Sequence, residues 1–254
     1  MNPSDRTEAL PEHEPAPIAA SPVLRDRVYL DLRYAMMAGK FVPGQKITIR
    51  QLAASLGTSL TPIREALLRL TAEGALEDRP NRSLRVPIMT KAKILELKDI
   101  RMAIEGLAAE RAAERIQPAE AARLRSISLE IGAARDRADW ATDIAKIGEW
   151  QFTVYHAARM PVLMGMIESV WLRTGPYINL LFPDFVRQKP REWRARVAQA
   201  MERGDGAAAA HEIRTDIDQV MTYIASRADA DGRIYPPRGT LPMQFDPLLF
   251  QSSG

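Results

Sequence analysis

Gln51 to Leu70 reads QLAASLGTSLTPIREALLRL, and this stretch decides the fold of the front of the chain. Leu52, Ala53 and Leu56 make the apolar face of a short helix, and Gly57 supplies the left-handed residue that ends it. Ser59 stands where a second helix is capped, and Pro62 is tolerated in its first turn. Ile63, Ala66, Leu67 and Leu70 then repeat at helical spacing. Two such helices around a tight turn form a helix-turn-helix pattern. The outer side of the second helix carries Thr61 and Arg64, which can meet phosphates or base edges. A plain helical hairpin has the same local pattern, so the flanks must separate the two readings.

Both flanks favour a winged helix. Downstream of Glu73-Gly74, the run ALEDRPNRSLRVP predicts two short strands, Ala75-Leu76 and Leu84 to Val86, across a turn near Pro80-Asn81. Arg79, Arg82 and Arg85 make this hairpin basic. Upstream, Val23, Leu24, Val28, Leu32 and Met36 mark a first helix that stops near Gly39, and Thr48 is placed to cap the support helix before Gly57. Ser21 to Thr90 holds eleven Lys or Arg and six Asp or Glu, a net of +5 in a chain whose total is +3. Positive charge therefore gathers where a DNA backbone would lie.

The ordered run Gly39-Lys40-Phe41-Val42-Pro43-Gly44, Leu52-Ala53, Leu56-Gly57-Thr58-Ser59, Thr61-Pro62-Ile63-Arg64-Glu65-Ala66-Leu67, Arg69-Leu70, Glu73-Gly74 and Pro80-Asn81-Arg82 resembles the DNA-binding domain of the GntR family of bacterial transcription regulators. The resemblance spans Val23 to Val86. It implies DNA contacts by Arg50, Thr61, Arg64, Asn81 and Arg82. Two residues depart from the family pattern: Leu60 stands where an arginine is usual, and Ser83 where a wing glycine is usual. Leucine cannot donate to guanine, so the base read there should change or be read more weakly. A thymine methyl or neighbouring protein is its alternative contact.

The rest of the chain has helical rhythm throughout. Thr90 caps a helix bearing Ile94, Leu97, Arg101, Ile104 and Glu105, which ends before Pro118. A second helix runs from about Ala119 to Arg137. Asp139 caps a third, with Ile144, Ile147, Gln151, Val154 and Tyr155, up to Pro161. Val162 to Leu172 continues, Gly175-Pro176 marks a kink, FPDFVRQKP forms a joint, and Arg191 to Met201 and Gly206 to Ala225 make a last pair. The predicted fold is mainly α, an N-terminal winged helix-turn-helix followed by an antiparallel helical bundle. Residues 1–20 read as a disordered lead, 21–88 as the winged helix, 90–226 as the helical effector-binding and dimerisation domain, and 227–254 as an irregular extension. In that extension Ile234, Leu241, Met243, Phe245, Leu248, Leu249 and Phe250 can anchor on a bundle or partner.

The chain has no cysteine, which excludes disulfides, thiolate metal sites and a cysteine nucleophile and fits a cytoplasmic location. No apolar run is long enough to span a membrane, and the acidic, proline-containing start lacks a signal-peptide pattern. No nucleophilic triad or phosphate loop is evident, so an enzyme remains only as an alternative.

Arg101 with Ile104-Glu105, Trp150-Gln151-Phe152 leading to Met160-Pro161-Val162-Leu163, and Ala200 to Asp205 followed by Ala209 resemble the ligand-sensing domain of the FadR-like group within the same family. Many of its members hold a divalent metal on an aspartate and three histidines, and those positions fall here on Ile147, Gln151, Arg194 and Asp216. Such a set lacks the donors a metal needs, so neither metal nor other cofactor is expected. His13, His156 and His211 do not replace it. The resemblance implies a pocket that Arg101 faces; Arg194 can take over the charge role of the ion there, so that one or both arginines bind a small carboxylate, oriented by Gln151 and Tyr155, with Asp216 pairing Arg194. A buried Arg194–Asp216 pair in a ligand-free bundle is the alternative. Arg173, Tyr177 and Asn179 would line the mouth, while Trp150, Trp171 and Trp193 would fill the core or an interface. The expected protein is a homodimeric regulator on a palindromic operator, a repressor released by a small organic anion. A ligand-independent dimeric regulator is the other reading.

Overall fold

The computed structural model describes residues 22–79, 83–190 and 192–236. The first unit begins with α1 (Pro22–Met37), α2 (Ile49–Ser55) and α3 (Leu60–Ala72). Val28, Leu32, Ala35 and Met36 on α1 and Ile63, Ala66, Leu67 and Leu70 on α3 are buried in one core, as the helical spacing requires. Gly57 takes φ +59°, so the α2–α3 turn uses the left-handed conformation that suits glycine. Ser59 and Thr48 occupy the positions before α3 and α2, but neither side chain accepts a backbone N–H of its helix; the Thr48 hydroxyl donates instead to the Gln51 side chain at 2.5 Å.

The wing is a three-stranded antiparallel sheet, β1 (Lys46–Ile47), β2 (Glu77–Arg79) and β3 (Ser83–Arg85), in the order β1-β3-β2. Its strand β2 begins two residues later than predicted, and β3 lies one residue earlier, leaving Val86 outside it. Ala75 N–H donates to Leu70 O at 2.9 Å after Gly74 at φ +75°, so Ala75 closes the end of α3 rather than entering a strand. Ala75 and Leu76 are both buried, without the alternation of a half-exposed strand. Strand β1 escaped prediction because two residues carry no period. Its register places Lys46 opposite Arg85 and Ile47 opposite Leu84.

The second unit comprises α4 (Lys91–Ala113), α5 (Pro118–Asp136), α6 (Trp140–Ala157), α7 (Pro161–Thr174), a 3-10 segment (Gly175–Leu181), α8 (Asp184–Gln188), α9 (Trp193–Glu202) and α10 (Gly206–Ser226). Helices α4 and α10 pack along one another as a spine, and α5 lies on α6. Thr90 and Asp139 cap α4 and α6, their oxygens accepting from Lys93 N at 3.2 Å and Thr142 N at 3.1 Å. Pro161 marks a break: α6 ends at Ala157, and Pro161 stands first in α7. No described helix is long and apolar enough to cross a membrane.

The two units meet along the 3-10 segment. A Cβ on Gly175 would lie 2.4 Å from Met36 O and 2.7 Å from the Met37 Cα, so only glycine lets this segment rest on the end of α1. Beyond α10, Ile234 is buried and its N–H donates to Met89 O at 3.0 Å, which fastens the start of the C-terminal extension beside the junction. Leu241, Met243, Phe245, Leu248, Leu249 and Phe250 lie outside the described residues.

Candidate nucleic-acid interface and effector cavity

Helix α3 turns its apolar face to α1, and this leaves Thr61 and Arg64 exposed at its N-terminal end. Arg50 is exposed at the start of α2. Asn81 and Arg82 lie outside the described residues. The presented helix is fixed from behind: Asp26 pairs with Arg69 at 2.8 Å, Arg69 lies 3.7 Å over the Tyr29 ring, and the Tyr29 hydroxyl donates to Glu73 at 2.5 Å. Burial and then Glu73 push the Tyr29 phenol up to about 12, so it keeps the proton it donates. Arg33 bridges Glu73 at 3.3 Å and Glu168 of α7 at 2.7 Å, tying this unit to the bundle.

Inside the bundle lies a cavity of about 50 Å³, room for a few waters or one small carboxylate. Arg101, Gln151, Arg194 and Asp216 line it, together with Arg135, Lys189 and Trp171. Arg101 donates from Nε to Glu105 at 2.5 Å and from Nη2 at 3.1 Å, and lies 4.6 Å over the Trp171 ring. Burial opposes its charge, but Glu105 outweighs burial and holds the guanidinium above its ordinary value. The Tyr155 hydroxyl donates to the same carboxylate at 2.5 Å. Tyr155 therefore stands behind the Arg101–Glu105 pair, outside the cavity lining, and burial raises its phenol well above the ordinary value.

Asp216 is not the partner of Arg194. Lys189, at the end of α8, forms an ion pair with one Asp216 oxygen, and Gln151 Nε2 donates to the other at 3.4 Å. Arg194 stacks instead 4.5 Å over Trp193, and its Nε is buried with no acceptor. Arg135 is occupied by buried Asp143 at 2.8 Å. The charge count follows: three cations of the cavity face three carboxylates, and Arg194 is left over among the described residues. Burial, then Arg135, lowers the Arg194 guanidinium to about 9. Burial, then Arg194 and Arg135, lowers the Lys189 ammonium to about 6, so the cavity carries this surplus in full only while Lys189 holds its proton, the form that an entering anion favours. This surplus positive charge, with an orphaned donor, suits an anion. It does not suit a divalent metal, for which the site offers one amide and one carboxylate already engaged by Lys189.

Lys189, Arg135 and Asp143 were not singled out in the sequence. Lys189 belongs to the proline-flanked joint FPDFVRQKP, and nothing local signals that its ammonium is buried. Arg173, Tyr177 and Asn179 do not form a mouth. The Tyr177 hydroxyl donates to Pro87 O at 3.1 Å and accepts from Met89 N at 2.5 Å; Asn179 Nδ2 donates to Gly39 O at 2.7 Å, and Arg173 Nε to Glu73 O at 3.2 Å. All three hold the winged unit. Gly175, Ile178 and Leu181 of the same 3-10 segment line the cavity, so one short element is both cavity wall and junction.

Comparison with known proteins places both units. Residues 24–86 match the family described as bacterial regulatory proteins, gntR family, and residues 96–219 match the FCD domain. The HTH-type transcriptional regulator McbR of Escherichia coli (strain K12) is 34% identical over 152 residues, 60% of this chain and 69% of that protein. A probable D-xylose utilization operon transcriptional repressor of Paenarthrobacter nicotinovorans is 27% identical over 77% of this chain and 85% of its own. The solved structure of E. coli McbR/YncC superposes with a TM-score of 0.68 at 29% identity, covering 78% of this chain and 96% of that one.

Proposed function

Because the chain belongs to the gntR family of bacterial regulatory proteins, DNA-binding regulators with a small-molecule-sensing C-terminal domain and not enzymes, we propose that it is a repressor whose hold on its operator is released by a small organic anion. The observation that carries the ligand class is Arg194, a buried guanidinium with an orphaned Nε in a cavity whose other cations are already paired. A carboxylate would accept from Arg194 and the neighbouring Lys189, and Gln151 would orient it. Arg50, Thr61 and Arg64, with Asn81 and Arg82 of the wing, would hold the duplex, and two copies would meet two half-sites. The name of the Paenarthrobacter relative supports repression as the direction.

The test is a panel of acetate, lactate, malonate and similar small carboxylates, read by thermal shift and by operator release. A ligand at a hundred times its Kd should stabilise the protein by about 2.7 kcal/mol, and Arg194→Met should abolish the response. Proton linkage gives a second check. An anion beside Lys189 raises its pKa from about 6, so binding takes up a proton and the affinity falls as pH rises above that value. A pH-independent affinity would remove Lys189 from the site. The small cavity and the Lys189–Asp216 pair favour a second reading, a ligand-independent dimeric regulator, and a panel without response would leave that one standing.

A further inference from the structure

Leu60 opens α3 and is 40% exposed, on a helix whose other large apolar side chains, Leu68 apart, are buried. It belongs neither to the core nor to the apolar side chains packed against it. Packing within the described chain therefore gives it no task. Its position does: residues 60 and 64 are one turn apart, as are 61 and 64, so Leu60, Thr61 and Arg64 form a single outward patch on the first turns. A helix that brings Arg64 to base edges from its N-terminal end brings Leu60 with it.

The chemistry of the groove then limits what Leu60 can meet. Against a base edge made of donors and acceptors, an isobutyl group strips water and returns no hydrogen bond, which is unfavourable. The C5-methyl of thymine is the apolar group that the major groove displays. We infer that Leu60 is a specificity-determining residue that reads the methyl of one thymine in each half-site. This rests on the DNA-reading face proposed above. Leu68, 69% exposed, continues the same stripe eight residues on, about 12 Å along the axis, beyond the turns that reach the bases. It supplies the internal control.

The experiment selects operator duplexes from a random library with the full chain, then replaces each thymine of the selected site singly by deoxyuridine. That change removes one methyl and leaves the protein untouched. At one position per half-site, dT→dU should weaken binding about fourfold, the effect of losing roughly one buried methyl contact. Leu60→Ala should bind the two duplexes alike, Leu68→Ala should keep the full sensitivity, and Leu60→Arg should select guanine where the wild type selects thymine. Indifference of the wild type to every dT→dU change, or unchanged sensitivity in Leu60→Ala, would overturn the assignment. Failure to select any duplex, or normal binding by Arg64→Ala, would instead remove the reading face itself, and the Leu60 assignment with it.

Discussion

The outer face of α3 and the cavity of the bundle use the same residue types in opposite surroundings. On α3, Arg64 is exposed, and it is free to spend its donors on a partner in solution. In the bundle, Arg101, Arg135 and Arg194 are buried or nearly so, and two of them are neutralised within the chain. An exposed arginine contributes to binding with little effect on stability; a buried one is part of the fold, and its removal or the removal of its partner is felt by the whole bundle. Mutations should therefore separate cleanly into those read by DNA and those read by melting.

The largest effect should come from Glu105→Ala. Glu105 is fully buried and accepts from Arg101 and Tyr155, so the substitution strands a buried guanidinium and a phenol together. A loss of about 3–5 kcal/mol in unfolding free energy is expected by denaturant titration. Replacing both partners, Arg101→Met with Glu105→Leu, should recover most of it, because the charge to be compensated has gone too. If the double substitution is as damaging as the single one, the pair contributes more than mutual neutralisation and the contrast with α3 is too simple.

Arg64→Ala should behave in the opposite way. Operator affinity should fall by about 1–3 kcal/mol per half-site if Arg64 meets a base, while unfolding free energy stays within about 0.5 kcal/mol of wild type. A uniform weakening on all sequences, with a shallower salt dependence, would instead make Arg64 a phosphate contact. A melting defect comparable with that of Glu105→Ala would break the comparison outright.

The same contrast explains what the sequence made legible. On α3, period and exposure coincide: Ile63, Ala66, Leu67 and Leu70 face in, Thr61 and Arg64 face out, and reading one face defines the other. In the bundle the inward positions include charges. Arg101 and Glu105 have the spacing of an ordinary surface pair, and only tertiary packing shows that both are buried. Lys189 reaches Asp216 because α8 folds back over the cavity, a closure that no local pattern around Lys189 records. The strands failed differently. Ala75 and Leu76 are apolar enough for a strand, but the closing hydrogen bond to Leu70 claims the first of them for the end of α3.

The smallest effect lies between the two regions and bears most on regulation. Asn179→Ala removes the hydrogen bond to Gly39 O, and Tyr177→Phe removes the one to Pro87 O while leaving the ring in place. Each should cost about 1 kcal/mol in stability. Amide exchange at Met89 should accelerate in Tyr177→Phe, since its N–H loses the hydroxyl acceptor. The question for function is whether this seam responds to the cavity on the other side of the same 3-10 segment. A double-mutant cycle answers it. Asn179→Ala and Arg194→Met have no shared partner, so independent regions would give additive changes in operator affinity to within about 0.3–0.5 kcal/mol. A larger interaction term is expected here, because Gly175, Ile178 and Leu181 wall the cavity while their neighbours Tyr177 and Asn179 grip the winged unit. Strict additivity would mean that the segment separates the two sites rather than connecting them, and a released repressor would need another route from cavity to DNA.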